Sequence, residues 1–133
     1  MERRQNYSRK REAILQTIRS TNTHPSADWI YQQLKPEYPD MSLGTVYRNL
    51  ARFEQEGTIV LVSVVNGQER WDADTHPHAH FICRCCHSVQ DLCEVKPDLH
   101  LDSEIQKKHG HQVDFHELLF HGVCKDCLVS KRA

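Results

Sequence analysis

The chain has 133 residues, a formal net charge of −1, 38% hydrophobic and 26% charged residues, a balance that fits one or two small globular domains and excludes a disordered chain. No apolar run of roughly 18 residues occurs, the length a membrane-spanning helix needs. The opening MERRQNYSRKRE lacks the apolar stretch of a secretory signal. A cytoplasmic protein is therefore expected, in a compartment where thiols stay reduced and six cysteines point to metal before disulfides. Charge and chemistry are unevenly spread. The first 20 residues carry six basic and two acidic groups, and of ten histidines only His24 precedes residue 73. A second half rich in His and Cys suggests metal binding.

In chain order, Ser8 is predicted to cap a helix running to about Thr21, with Ala13, Ile14, Leu15 and Ile18 on its apolar face. TNTHPS reads as a turn, and Ser26 to Leu34 as a second helix stopped by Pro36 and Pro39. Ser42 caps a third helix to about Glu56, ended by Gly57, with Leu43, Val46, Leu50 and Phe53 along one face. TIVLVSVV, Asn66-Gly67 and QERWD make a hairpin, because Asn-Gly supplies the left-handed turn that antiparallel strands require. Three short helices followed by a hairpin form the winged-helix layout. ADTHP at 73–77 is read as a hinge between residues 1–72 and residues 78–133. Beyond it come strands at 78–84 and 88–92, a helix from Asp98 or Asp102 to Lys108 ended by Gly110, and a long strand at 112–121. The predicted fold class is α+β: an N-terminal winged-helix DNA-binding domain and a small C-terminal α/β domain whose few apolar groups need a staple or a partner.

Cys83-x2-Cys86 and Cys124-x2-Cys127 are separated by 37 residues. Two tight turns with this spacing can bring four thiolates to one tetrahedral ion, as in a closed structural zinc site. A redox pair or plain buried cysteines are the alternatives. Cys85 is a competitor for Cys86, and Cys93 is read as a buried core thiol. His78 and His80 alternate on a strand and so share a face, with Asp72 and Asp91 at neighbouring strand ends. Nitrogen and oxygen ligands without sulfur suit Fe²⁺ or Mn²⁺, with Zn²⁺, Co²⁺ or Ni²⁺ as competitors. By spacing alone, an ordinary surface pair explains His-x-His equally well.

The string HPSADWIYQQLKPEYPDMSLGTVYRNLARFEQEG, then HAHFICRCCHSVQDL, then GVCKDC, resembles the ferric uptake regulator (Fur) family from about Tyr7 to Cys127. The resemblance implies a dimeric repressor that binds operator DNA when a regulatory metal is loaded, and a structural zinc on Cys83, Cys86, Cys124 and Cys127. Carried over by position, the regulatory Fe²⁺ or Mn²⁺ ligands are His24, Asp72, His78, His80 and Asp91. Asp72 and Asp91 stand where iron-uptake members typically have Glu, which is similar to the peroxide-sensing, PerR-like branch. In that branch iron-catalysed oxidation of a ligand histidine, here His24 or His78, ends repression. The chain departs from the family in two places. Where family members often carry an extra leading helix this sequence has about seven residues, and Arg3, Arg4, Arg9, Lys10 and Arg11 are expected to replace some of its DNA contacts. A second iron-uptake-type site is incomplete, with Pro77 and Ala79 in ligand positions and only His116 and Asp98 left.

In the winged-helix layout the third helix enters the major groove. Thr45, Arg48, Asn49 and Arg52 lie off its core face, Tyr47 suits a thymine methyl or a phosphate, and Ser42 and Arg11 complete the expected DNA-binding set. A homodimer, no membrane and no small organic substrate are expected, and no enzyme. Rival readings are a metal-homeostasis repressor of the same family, a zinc hydrolase, for which no oriented general base is evident, and a thiol-redox protein.

Overall fold

The computed structural model describes residues 2–130, with side chains from Tyr7 onward; the side chains of Arg3 and Arg4 lie outside the described set. The chain forms two compact units, Met1–Thr75 and His76–Ala133. In the first, α1 (Glu2–Arg19), α2 (Ala27–Leu34) and α3 (Leu43–Glu56) precede a hairpin of β1 (Val60–Val65) and β2 (Gln68–Asp72). The second holds β3 (Ala79–Cys83), β4 (Val89–Leu92), α4 (Leu99–His109), β5 (Leu119–Gly122) and α5 (Lys125–Val129).

Local signals set the boundaries of the first unit. The Ser26 hydroxyl accepts from the Trp29 N–H and that of Ser42 from the Thr45 N–H, so each satisfies a helix-start donor that has no partner within the helix. Gly57 ends α3 at φ 77°, and Asn66 and Gly67 take φ of 51° and 78°, the left-handed pair of a tight hairpin turn. Ile14, Ile18, Ile30, Met41, Val46, Leu50 and Ile59 are almost fully buried, and Trp71 of β2 closes the same core. The first helix differs from expectation. It begins at Glu2 rather than at a Ser8 cap, because residues 2–8 contain neither Gly nor Pro and a helix can extend through them.

In the second unit, β3 is the central strand of a sheet ordered β4-β3-β5, antiparallel to β4 and parallel to β5. Asp98 caps α4, accepting from the His100 N–H, and Gly110 ends it. The predicted long strand shrinks to Leu119–Gly122. Among the described residues it pairs with β3 alone, and β3 is five residues long. The segment before β5 is tied by side chains instead: Gln106 Oε1 accepts from the Val113 N–H at 3.3 Å. Helix α5, just after Cys124, has no counterpart in the sequence reading.

Glycine substitutions test the helix ends. Gly57→Ala meets nothing within 4 Å but must hold φ at +77°, so it should destabilise the first unit by about 1–2 kcal/mol. Gly44→Ala, in the first turn of α3, meets the flexible Arg48 guanidinium tip at 3.3 Å and Ser42 Oγ at an ordinary 3.8 Å and should be neutral or stabilising. Thermal unfolding followed by circular dichroism reads both; equal midpoints for the two variants would contradict the assignment.

Candidate metal centres

Both cysteine pairs sit at turns of the second unit. Cys83 ends β3 and Cys86 lies in the following turn, while Cys124 and Cys127 flank the start of α5. The four sulfurs lie within 4.8 Å of one another, with Cys83 to Cys127 and Cys86 to Cys124 both at 3.8 Å. A tetrahedral zinc ion with Zn–S arms of about 2.3 Å separates its ligands by about 3.8 Å, so the sulfur set fits zinc. Backbone N–H groups converge on Cys83 Sγ, from Cys86 at 3.5 Å, Cys124 at 3.3 Å and Cys85 at 3.4 Å. They pull that thiol down to about 5. Burial, followed by the neighbouring thiols, pushes Cys127 up to about 12. Ser88, 3.2 Å from Cys86 Sγ, lowers the Cys86 thiol. Cys85 packs beside this cluster without belonging to it.

Within the first unit, His24 and Asp72 meet: Nε2 lies 3.2 Å from Oδ2, and both residues are buried. The other oxygen of Asp72, Oδ1, accepts from the Asp74 N–H at 2.8 Å. His24 has φ 58°, a left-handed backbone that costs an L residue about 1–2 kcal/mol. In the second unit, His78 Nε2 and His80 Nε2 lie 2.7 Å and 3.2 Å from the same oxygen of Asp91, and His80 is paired with Asp91 across β3 and β4. The imidazole rings of His78 and His80 are 4.4 Å apart. His78 Nδ1 donates to the His76 carbonyl at 2.6 Å, so Nε2 is the nitrogen turned toward Asp91. This orienting group is main chain, so no residue type announced it.

Helix α3 carries the expected DNA-facing residues. Tyr47 and Arg48 are exposed, Arg48 Nη2 donates to Thr45 Oγ1 at 3.2 Å, and Asn49 Nδ2 donates to the Thr45 carbonyl at 2.9 Å. Arg52 meets Glu56 at 3.1 Å in an exposed pair, which is worth little and exchanges easily for a phosphate. Arg11 is half-buried on α1 and Arg9 exposed. Lys10 is engaged with Asp40 at 3.0 Å, and its ammonium holds that carboxylate below its ordinary value.

One expectation changes. Cys93 is exposed rather than a core thiol, since it follows the last residue of β4 and leaves the sheet. His116 pairs with Asp102, at 2.5 Å, not with Asp98, whose carboxylate caps α4; His116 Nε2 is buried without a hydrogen-bond partner.

The sequence model described as the ferric uptake regulator family matches residues 2–121. A peroxide-responsive repressor, PerR, of Staphylococcus aureus is 38% identical over 122 residues, covering 89% of this chain and 79% of that protein. The crystal structure of the Campylobacter jejuni peroxide stress regulator matches with a TM-score of 0.76 and 28% identity, over 95% of this chain and 94% of that one. The iron-containing structure of the Francisella tularensis ferric uptake regulator matches with a TM-score of 0.71 and 25% identity, over 89% and 90% of the two chains.

Thiol exposure gives a direct check on the cysteine geometry. In the folded, reduced protein, iodoacetamide should modify Cys93 first and Cys83 and Cys127 last, as resolved by peptide mass spectrometry. Early labelling of Cys83 would contradict the burial found for it.

Proposed function

Because the chain belongs to the ferric uptake regulator family, we propose that it is a metal-dependent, DNA-binding transcriptional repressor that senses hydrogen peroxide. The observation that carries this reading is the pairing of imidazole with aspartate in each unit: His24 with Asp72, and His78 and His80 with Asp91. The likeness to a relative named for its peroxide response supports the same choice. Residues 1–72 are read as the DNA-binding domain, 73–77 as a hinge and 78–133 as the dimerisation domain.

The tetrahedral spacing of the sulfurs supports a structural zinc on Cys83, Cys86, Cys124 and Cys127. His24, Asp72, His78, His80 and Asp91 form the proposed regulatory set, and their nitrogen and oxygen atoms suit Fe²⁺ or Mn²⁺. Bound ferrous iron would supply the electrons that split the O–O bond of peroxide. The chain's own part is to hold the imidazoles of His24 and His78 where an oxygen atom can be added to one of them. An oxidised ring is a poor ligand, so the regulatory set loses a member and the hold on DNA ends. Tenfold weaker DNA binding needs only about 1.4 kcal/mol of lost coupling.

Operator contact is assigned to Thr45, Tyr47, Arg48, Asn49 and Arg52 on α3, with Ser42 at its start and Arg11 on α1. The chain is proposed to act as a homodimer. Leu99, Leu101, Ile105, Phe115 and Phe120 of the second unit are all exposed large apolar groups, of which Leu99 and Phe115 are 74% and 73% accessible, and an apolar set of this kind marks an interaction surface. No described helix is long and apolar enough to cross a membrane.

Cys124→Ser should release zinc and collapse the dimer, because the binding free energy of such a site is folding free energy. Elemental analysis with sedimentation velocity reads both, and a dimeric, zinc-loaded variant would refute the tetrathiol assignment. Iron loading followed by peroxide should add one oxygen to the peptide holding His24 or to that holding His78, with loss of promoter DNA binding. Unmodified histidines and retained DNA binding would instead favour a metal-homeostasis repressor.

A further inference from the structure

Strand β2 alternates its faces, so Gln68, Arg70 and Asp72 share one side while Trp71 enters the core from the other. That shared side grips the turn between α1 and α2 and the first turn of α2. Gln68 Nε2 donates to Asp28 Oδ2 at 3.1 Å. The Arg70 guanidinium donates through Nε to the His24 carbonyl and through Nη2 to the Thr23 carbonyl at 2.7 Å. Asp72 takes the His24 imidazole. The Trp71 N–H adds a bond to the Pro25 carbonyl at 3.1 Å. Three consecutive carbonyls, from Thr23 to Pro25, are thus held by one strand.

His24 needs this grip. Its φ of 58° is a conformation that an L residue keeps only when its surroundings over-determine it. Asp72 fixes only the end of the side chain. The main chain that sets where the ring starts is fixed by Arg70, whose planar fork reaches two carbonyls at once, which a lysine ammonium on a single stem does less well. We propose that Arg70 is a positioning residue for the regulatory centre, holding the backbone of Thr23 and His24 so that the imidazole faces Asp72 in the metal-free protein. The proposal rests on the reading of His24 as a regulatory ligand.

The test is Mn²⁺ affinity of the zinc-loaded protein, measured by chelator competition in a double-mutant cycle of Arg70→Met and His24→Ala. Arg70→Met should weaken Mn²⁺ binding about tenfold or more, the usual effect of removing a group that orients a ligand. Arg70→Lys should lose less. In the His24→Ala background, Arg70→Met should add no further loss, because the group it positions is gone. An equal loss in both backgrounds would overturn the proposal, since a general destabilisation would act in either. Full affinity in Arg70→Met, beside a weakened His24→Ala, would overturn it alone. Unchanged affinity in His24→Ala would remove the ligand reading, and the proposal with it. Should Arg70→Met fold poorly, Arg70→Lys keeps the proposal testable. In the metal-free state its His24 ring signals in long-range ¹H–¹⁵N spectra should shift or broaden, while those of His78 and His80 stay put; an unmoved His24 would refute the role.

Discussion

Four thiols crowded within 4.8 Å are the constraint on which the second unit depends. Its other buried apolar groups are few: Ala79, Ile82 and Val89 on two short strands, while α4 buries none of its residues. A core this small does not order a chain by itself. The sulfurs join the turn after β3 to the turn after β5, so they cross-link segments distant in sequence. Their tendencies to ionise conflict, since converging main-chain N–H groups draw Cys83 down to about 5 while burial pushes Cys127 up to about 12. A bound cation removes that conflict. The free energy of structural zinc, about 10–16 kcal/mol in small peptides, matches the whole stability of an ordinary domain, about 5–15 kcal/mol.

The same strand that ends in this cluster begins at the histidines. β3 carries His80 near one end and Cys83 at the other, and it pairs with β4 so that His80 lies opposite Asp91 and Ile82 opposite Val89. Slipping that register by one residue would turn every side chain of β3 to the other face and separate His80 from Asp91. The parallel pairing with β5, which sets Cys83 beside Gly122, fixes the opposite edge. Sulfur staple and imidazole–carboxylate cluster are therefore linked by five residues of backbone. In the first unit Trp71 has the corresponding part: buried in the helical core, it sets the phase of β2 and turns Asp72 toward His24.

What could be read in the sequence was what is decided locally. Ser26, Ser42, Gly57 and the Asn66-Gly67 turn carry their own start and stop signals, and the helices and hairpin they bound appear where expected. The cysteine spacing carries its geometry in the same way. Other features depend on partners far away in the chain. The start of α1 has no capping signal of its own, the length of β5 is set by that of β3, and the exposure of Cys93 follows from where β4 stops. His78 and His80 were ambiguous by spacing because a histidine pair gains meaning only from the acid facing it, here a single oxygen of Asp91. Arg70 had a faint signal, two residues before Asp72 on the same strand face, but its partners are carbonyls, which every residue possesses.

The division of ligand types follows from this architecture. In the second unit four thiols gather at one end of β3 and His80 faces Asp91 toward the other, while the sulfur of Cys93 lies within 4.8 Å of a ring nitrogen of His78. Soft thiolates select zinc over harder ions, whereas nitrogen and oxygen sets leave the choice open to Fe²⁺ and Mn²⁺. Both acids of the proposed regulatory set, Asp72 and Asp91, are aspartates, with one rotatable bond fewer than glutamate and hence less freedom to lose when held against a ring. Asp72 is further fixed by the Asp74 N–H, and Asp91 by two imidazoles on one oxygen. On the proposed reading, short acids fixed in this way have little reach to follow a ring that has gained an oxygen.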